Sequence, residues 1–389
     1  MRISTMRIRD LGYAPGQLQP GVRVGQTTIH EGRDTHTGVT VILPRGPDEI
    51  RQKPCYAAIH KLNGMGEMTG AHQIEEFGSF NTVGSSSLSL SLCKDFEIRK
   101  VYDAIYSWLF DLAKQNKESF EETFRNMGIP VVAETLDCIL NDVTKSAVEK
   151  HHVYEAIASA LSNPHPPVLE GSHGGGTGMR CHGYKGGTGT SSRIVPGRSE
   201  EETFTVGVLV QANYGWQKDL QIGGVPVGRI LSQKLPTKPV SSKMGEGSII
   251  IVIITDAPLL PHQLKRVAQR ATLGLSQVAG HGAGRTYSGD IFLALSTGDI
   301  PDDELKTGMP GYLPTVETFP TRSIKNECID SLFYAAAEAT EEAILNALVA
   351  AKDGLTGFMG HRAEGLPIER VKELLERYHN YAQNSSFDE

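Results

Sequence analysis

Apolar and polar positions along the chain fall into three patterns. The first is the short strand-like segment. Val22-Arg23-Val24-Gly25-Gln26-Thr27-Thr28-Ile29 alternates as a half-buried strand does. Residues 38–43, stopped by Pro44, and residues 56–59 predict two more short strands, and residues 130–135 another. Residues 84–92 carry a small-residue turn and then alternate Leu and Ser. Residues 62–70, Leu-Asn-Gly-Met-Gly-Glu-Met-Thr-Gly, are too glycine-rich for the interior of an element.

The second pattern repeats at helical spacing. Tyr102 to Lys114 has apolar residues at 102, 105, 109, 110 and 112. Val143 to Leu161 reads as a helix with Val148, Val153, Ala156, Ile157 and Leu161 on one face. Pro258 to Val278 carries a stripe of Leu264, Val267, Ala268, Ala271, Leu275 and Val278, with Lys265, Arg266, Gln269 and Arg270 toward water. Ile329 to Lys352 and Ile368 to Tyr381 predict two further helices.

The third pattern is the continuous apolar run. Residues 204–215 make a long apolar strand ending in an amide, Asn213. Residues 288–296 make another, headed by Ser288 and Asp290. Between them, Ile249-Ile250-Ile251-Val252-Ile253-Ile254 is six consecutive β-branched residues, the mark of a strand buried on both faces. Buried strands with helical stretches before and after them predict an α/β fold with sheets packed between helices. No repeat or low-complexity linker divides the chain, so residues 1–389 are expected to form a single domain.

Composition narrows the setting. Hydrophobic residues make up 39% and charged residues 21%, ordinary for a globular protein. The formal net charge of −7 argues against nucleic acid or an anionic membrane as a general partner. No apolar stretch approaches the length of a membrane span, and residues 1–7 lack the apolar core of a secretory signal. The five cysteines are scattered without a CxxC pair, which fits a reduced, cytoplasmic protein.

One junction carries candidate chemistry. Met244-Gly245-Glu246-Gly247 runs into Ser248 at the mouth of the buried strand. Glycine lets its carbonyl be approached closely. Ser248 Oγ could add to that carbonyl, form an ester and, on hydrolysis, become a new N-terminus. The freed α-amine, with a reference pKa of about 7.7–8.0, could act as a base beside its own hydroxyl. A plain loop entering a core strand explains the same residues. Ser288 and Asp290, two apart on a strand, share one face, and could equally cap a turn. Asn213 could satisfy main-chain groups, and Glu134 could pair with a structural cation.

Two other features invite functional readings. Residues 170–193 are glycine-rich, but the P-loop pattern fails because Tyr184 stands where lysine is needed after Gly178 and Gly183. Backbone crowding against another element explains these glycines better. The adjacent His151 and His152 point about 100° apart on a helix, which favours solvent over metal.

Taken in order, Asn63-Gly-Met-Gly-Glu-Met-Thr-Gly70, Glu134-Thr135, Gly174-Gly-Gly-Thr-Gly-Met179, Lys185-Gly-Gly-Thr-Gly-Thr-Ser-Ser-Arg193, Gln211-Ala-Asn-Tyr-Gly215, Gly247-Ser248 and Ser288-Gly-Asp290 resemble the DmpA/BapA aminopeptidases. These are the L-aminopeptidase D-Ala-esterase/amidase and the β-aminopeptidases. The resemblance covers nearly the whole chain. It implies an αββα sandwich resembling N-terminal-nucleophile hydrolases, with self-cleavage between Gly247 and Ser248 into subunits 1–247 and 248–389. It implies Ser248 as nucleophile, Ser288 and Asp290 in proton transfer, Asn213 as oxyanion donor and Glu134 as the carboxylate that binds the substrate amine. Small peptides, amides or esters would be the substrates, with no metal or organic cofactor. The working form would be a homo-oligomer of processed heterodimers, a tetramer by analogy. Two positions depart from the family pattern. Asp290 stands where the β-aminopeptidases are expected to have the longer glutamate, and Leu136 stands where a tyrosine is expected. A related fold hosts an acyltransferase, but with threonine at the new N-terminus. A non-catalytic, glycine-rich ligand-binding protein is the alternative outside enzymes.

Overall fold

The computed structural model describes residues 21–45, 53–80, 90–93, 97–120, 123, 128–199, 201–234, 247–280, 283–298, 316 and 318–384. The N-terminal part contains β1 (Arg23–Glu31), β2 (Thr35–Leu43), β3 (Cys55–Gly64), α1 (Ala71–Phe77), β4 (Ser79–Phe80) and β5 (Leu90–Cys93). α2 (Ile98–Gln115), β6 (Val131–Glu134) and α3 (Lys150–Leu161) follow. A small hairpin, β7 (Arg180–Cys181) and β8 (Tyr184–Lys185), leads into β9 (Gly187–Pro196), β10 (Thr203–Ala212) and α4 (Val227–Lys234). The C-terminal part has β11 (Ile249–Thr255), α5 (Pro261–Ala279), β12 (Gly289–Ser296), α6 (Asp330–Ala350) and α7 (Ile368–Asn384).

These strands build two main sheets. One has the order β1-β2-β5-β6 and the other β4-β3-β12-β11-β10-β9. β11 therefore lies inside the larger sheet, parallel to β12 and antiparallel to β10. Its β-branched run fits that place, since every residue from Ile249 to Thr255 is buried.

Alternation along the strands assigns each side chain to a layer. Ile250, Val252 and Ile254 join Leu209, Ile291, Leu293 and Leu295 in a core that also takes Val24, Ile42, Val131 and Ala133 from the smaller sheet. That core is the seam between the sheets. Ile249, Ile251 and Ile253 point the other way, against Leu264, Val267, Ala271 and Leu275 of α5 and Ala336, Ala339 and Ala343 of α6. On the far side, Val39, Val41, Leu43 and Val132 meet Val101 and Ile105 of α2 and Val153 and Ile157 of α3. Three cores between four layers make an αββα sandwich. Because both faces of β11 are buried, a one-residue slip would exchange the two cores, so its register is fixed.

The structure changes two of the boundaries expected from the sequence. β3 runs on through Asn63 and Gly64, so the glycine-rich stretch begins inside a strand. The helix expected from Val143 starts at Lys150, because Ser146 takes a left-handed φ of 47° after a short turn that the Asp142 carboxylate caps. Residues 84–89, the turn and start of the Leu/Ser alternation, lie outside the described residues, and the pairing strand covers Leu90–Cys93. Most glycines of residues 171–189 are crowded by backbone, as expected. A Cβ on Gly189 would come within 1.9 Å of the Ala343 carbonyl oxygen, so this glycine lets α6 settle on β9. Among the described residues no helix is long and apolar enough to cross a membrane.

Candidate active site

The strand order sets the site. β10 and β12 flank β11, so Asn213, Ser248 and Asp290 gather at one end of the larger sheet, where Asp290 pairs with Ile249. Ser248 is 5% exposed and its Oγ accepts a hydrogen bond from the Gly289 main-chain N–H at 3.0 Å. Its carbonyl accepts from the Asn213 N–H at 3.1 Å. The nucleophile candidate is thus held at two points before it meets any substrate.

Gly247 fits where no larger residue could. A Cβ there would lie 1.6 Å from the Asn213 carbonyl oxygen and 3.2 Å from Asn213 Nδ2. The Gly247 carbonyl oxygen receives the Ser288 hydroxyl at 2.5 Å. Ser288 Oγ is also 2.6 Å from Asp290 Oδ1. A hydroxyl has one proton, so Ser288 serves one acceptor at a time unless Asp290 itself carries a proton and donates it. The same-face placement of Ser288 and Asp290 therefore becomes a direct hydrogen bond.

Asp290 is 1% exposed. Burial pushes its pKa above the ordinary carboxylate value, against hydrogen bonds from Ser288 and from the main-chain N–H groups of Gly284 and Ile249. The shorter aspartate reaches Ser288 here because both sit on the rim of β12.

Asn213 uses both ends of its carboxamide. Oδ1 accepts from the Arg180 N–H at 2.8 Å, and Nδ2 donates to the Leu136 carbonyl at 2.6 Å. An amide nitrogen carries two N–H groups; Leu136 takes one, and the other is what Asn213 can offer a tetrahedral oxyanion.

Glu134, at the end of β6 in the smaller sheet, is 3% exposed. Its Oε1 accepts from the Glu67 N–H at 2.9 Å. A Cβ on Gly66 would lie 3.2 Å from that oxygen and 3.1 Å from the Gly289 Cα, which puts the carboxylate beside the Gly289 main chain that holds Ser248. All five side chains named from the sequence thus come to one place, contributed by both sheets.

Three contributors carried no earlier assignment. Gly289 acts through a main-chain N–H. Asn63 Nδ2 donates to the Arg285 carbonyl at 2.7 Å and also contacts the Ser288 carbonyl, tying β3 to the turn that presents Ser288. Arg180 flanks Asn213. Asn63 opens the motif at residues 63–70, so its position was a usable signal. Gly289 lies inside the Ser288-Gly-Asp290 motif, whereas Arg180 left no signal in the pattern. The histidine pair stays apart from this site: His151 is exposed, and His152 accepts from the Glu149 N–H at 3.0 Å.

The model of peptidase family S58 matches residues 19–363. The β-peptidyl aminopeptidase BapA of Sphingosinicella microcystinivorans is 40% identical over 403 aligned residues, covering 97% of this chain and 93% of the relative. Among solved structures, a Burkholderia sp. β-aminopeptidase superposes with a TM-score of 0.78 at 39% identity, covering 96% of this chain and 99% of that one. The L-aminopeptidase D-Ala-esterase/amidase of Ochrobactrum anthropi, described as a prototype serine aminopeptidase with a variant of the Ntn hydrolase fold, gives 0.78 at 35% identity with the same coverage. Fold and relatives together define a hydrolase of the N-terminal-nucleophile serine aminopeptidase type. The chain belongs to peptidase family S58.

Proposed function

We propose that this protein cleaves its own chain between Gly247 and Ser248, and then uses Ser248 to release N-terminal residues from small peptides, amides or esters. The observation that carries the proposal is the contact between the Ser288 hydroxyl and the Gly247 carbonyl, one bond from Ser248. A hydrogen bond to that oxygen draws electron density from the carbonyl carbon that Ser248 Oγ must attack. With Asp290 protonated, its carboxyl donates to Ser288 Oγ, and Ser288 is free to donate to Gly247. Addition of Oγ gives a tetrahedral oxyanion and sets free the hydroxyl proton, and collapse breaks the C–N bond as the Ser248 nitrogen takes up that proton and leaves as an amine, with Gly247 now an ester on Oγ. Water then releases the two subunits, 1–247 and 248–389.

In the processed enzyme the substrate carbonyl takes the place of Gly247. The new α-amine accepts the Ser248 hydroxyl proton, and Asn213 Nδ2 donates to the oxyanion. Such a donor contributes roughly 2.7–4 kcal/mol to acyl transfer. The amine or alcohol leaves with a proton, and water hydrolyses the acyl-enzyme. Glu134 holds the substrate's protonated amine through a charge-assisted hydrogen bond. The names of two relatives near 40% identity favour β-amino acids among the accepted N-terminal residues. Leu136 supplies no hydroxyl, and its carbonyl instead orients Asn213. We further infer a cytoplasmic homo-oligomer of processed heterodimers.

The acyltransferase alternative is weakened by serine rather than threonine at position 248 and by the family match. The test is steady-state hydrolysis of paired dipeptide amides with a β- or an α-amino acid at the N-terminus, with and without N-acetylation. Loss of turnover on acetylation is expected; equal turnover would refute an aminopeptidase.

A further inference from the structure

Arg180 is not accounted for by the reaction just described. It opens β7, and its main-chain N–H is bonded to Asn213 Oδ1. Its side chain is only partly exposed. No hydrogen bond or ion pair engages the guanidinium among the described residues. Its electrostatic neighbour is Cys138, a thiol rather than a carboxylate. Burial pulls the guanidinium's pKa below its ordinary value, the signature of a cation that has lost water without gaining an anion. Other arginines of the fold are partnered: Arg193 bonds Glu342 at 2.7 Å, Arg285 bonds Asp219 at 3.0 Å and Arg362 bonds Glu364 at 2.7 Å. A guanidinium presents a planar fork matched to a carboxylate, so a half-buried one without an anion is an open recognition site.

Its location says whose carboxylate it would take. The segment carrying Glu134 is fixed to the Nδ2 end of the Asn213 carboxamide through Leu136, and Arg180 is fixed to the Oδ1 end. The scissile position, marked by Gly247, lies against the same side chain. The Glu134 segment and the Arg180 main chain therefore hold opposite ends of the one residue that packs against the scissile position. Successive Cα atoms are 3.80 Å apart, so in a dipeptide the terminal carboxylate lies one residue beyond the bond that is cut. An arginine side chain anchored next to the oxyanion donor can span that distance.

Building on the aminopeptidase reading, we propose that Arg180 is a specificity-determining residue that binds a carboxylate on the leaving group of the substrate. The preferred substrate is then a zwitterionic dipeptide, its amine on Glu134 and its carboxylate on Arg180. The carboxylate has two possible sources, the chain terminus and an acidic side chain of the leaving residue.

The experiment uses processed full-length protein and compares kcat/KM for a dipeptide and for its C-terminal amide. A second pair, two dipeptide amides with an acidic or a neutral second residue, tests the side-chain source. The wild type is expected to favour the carboxylate-bearing member of at least one pair by roughly tenfold to a hundredfold, mostly through KM. Whichever pair shows the preference identifies the source. In Arg180→Met that ratio should collapse toward one. Arg180→Lys, which keeps the charge and loses the fork, should restore part of it, which a purely structural role would not do. A wild-type ratio near one in both pairs, or a ratio unchanged in processed Arg180→Met, overturns the carboxylate site and leaves the aminopeptidase reading standing. Failure of the wild type to hydrolyse any of the four substrates overturns both.

Discussion

The Ser288 hydroxyl lies 2.5 Å from the Gly247 carbonyl oxygen and 2.6 Å from Asp290 Oδ1. One proton stands between the peptide bond proposed to break and a buried carboxyl group. Which acceptor it serves depends on the charge of Asp290, so one pair of side chains can polarise a peptide in the precursor and support proton transfer in the mature enzyme.

Asp290 should leave a signature in stability. Its folded pKa is raised by burial, so the folded state holds the proton more tightly than the unfolded chain does. The stability this provides is complete below the unfolded value, about 3.9, and is lost as pH rises through the folded pKa. Asp290→Asn never ionises, so it should be more stable than wild type at pH 7 and lose most of that advantage near pH 4. Urea denaturation at both values checks this. An advantage that grows toward acid would contradict it.

The same residue should shape the rate. If the ionised form supports proton transfer, peptide hydrolysis by the processed enzyme should fall as pH drops through a pKa above the ordinary carboxylate value. Asp290→Asn should lower kcat and flatten that acid limb. A limb unchanged in processed Asp290→Asn would remove Asp290 from the reaction.

Asn213 is expected to act on charge that exists only in the tetrahedral states. Asn213→Ala should lower kcat by about 10²–10³ with a smaller change in KM. Comparison must use chains already processed, because self-cleavage passes through a similar oxyanion. A wild-type kcat would show that Nδ2 serves only Leu136.

Glu134→Gln keeps the shape of the side chain and removes its charge. It should reduce kcat/KM for free-amine substrates by roughly ten- to a hundredfold, the range of a hydrogen bond to a charged group. Self-cleavage involves no free substrate amine and should proceed. Steady-state kinetics and a gel on the same preparation separate the two effects.

Much of this fold was legible in the chain, and for identifiable reasons. The β11 run is apolar on both faces, and only the interior of a sheet covered on both sides buries six such residues in a row. The α5 stripe is a single apolar face, and it meets the sheet as the pattern predicts. The boundaries that moved are those set by single dihedrals or by pairing: left-handed Ser146 delays α3, and pairing of Asn63 with Asp290 carries β3 into glycines. The site was different in kind. Ser248 could be suspected from the glycine before it and the strand after it, whereas Ser288, Asp290, Asn213 and Glu134 needed the family resemblance. Hydrophobic pattern says which face a polar residue occupies but not which polar residues meet. Gly289 was hidden because its contribution is a main-chain N–H, and Arg180 because a single arginine in a glycine-rich stretch has no period.

Gly247 separates a steric requirement from a chemical one. Gly247→Ala places a methyl group where the Asn213 carbonyl oxygen now sits. The displaced peptide should cleave at least about a hundredfold more slowly, the cost of misplacing reacting atoms by an ångström or so. A pulse-chase of precursor conversion gives the rate, and a wild-type rate would mean that the close packing seen here is not needed.

Everything proposed for this site depends on Ser248 cutting the bond before it and becoming the nucleophile. The most direct measurement is intact mass and N-terminal sequencing of purified wild-type and Ser248→Ala protein. Two wild-type chains are expected, 1–247 and 248–389, the second beginning at Ser248, and a single uncut Ser248→Ala chain without aminopeptidase activity. A Ser248→Ala protein that still splits at this bond, or an intact wild-type chain that turns over substrate, would contradict it.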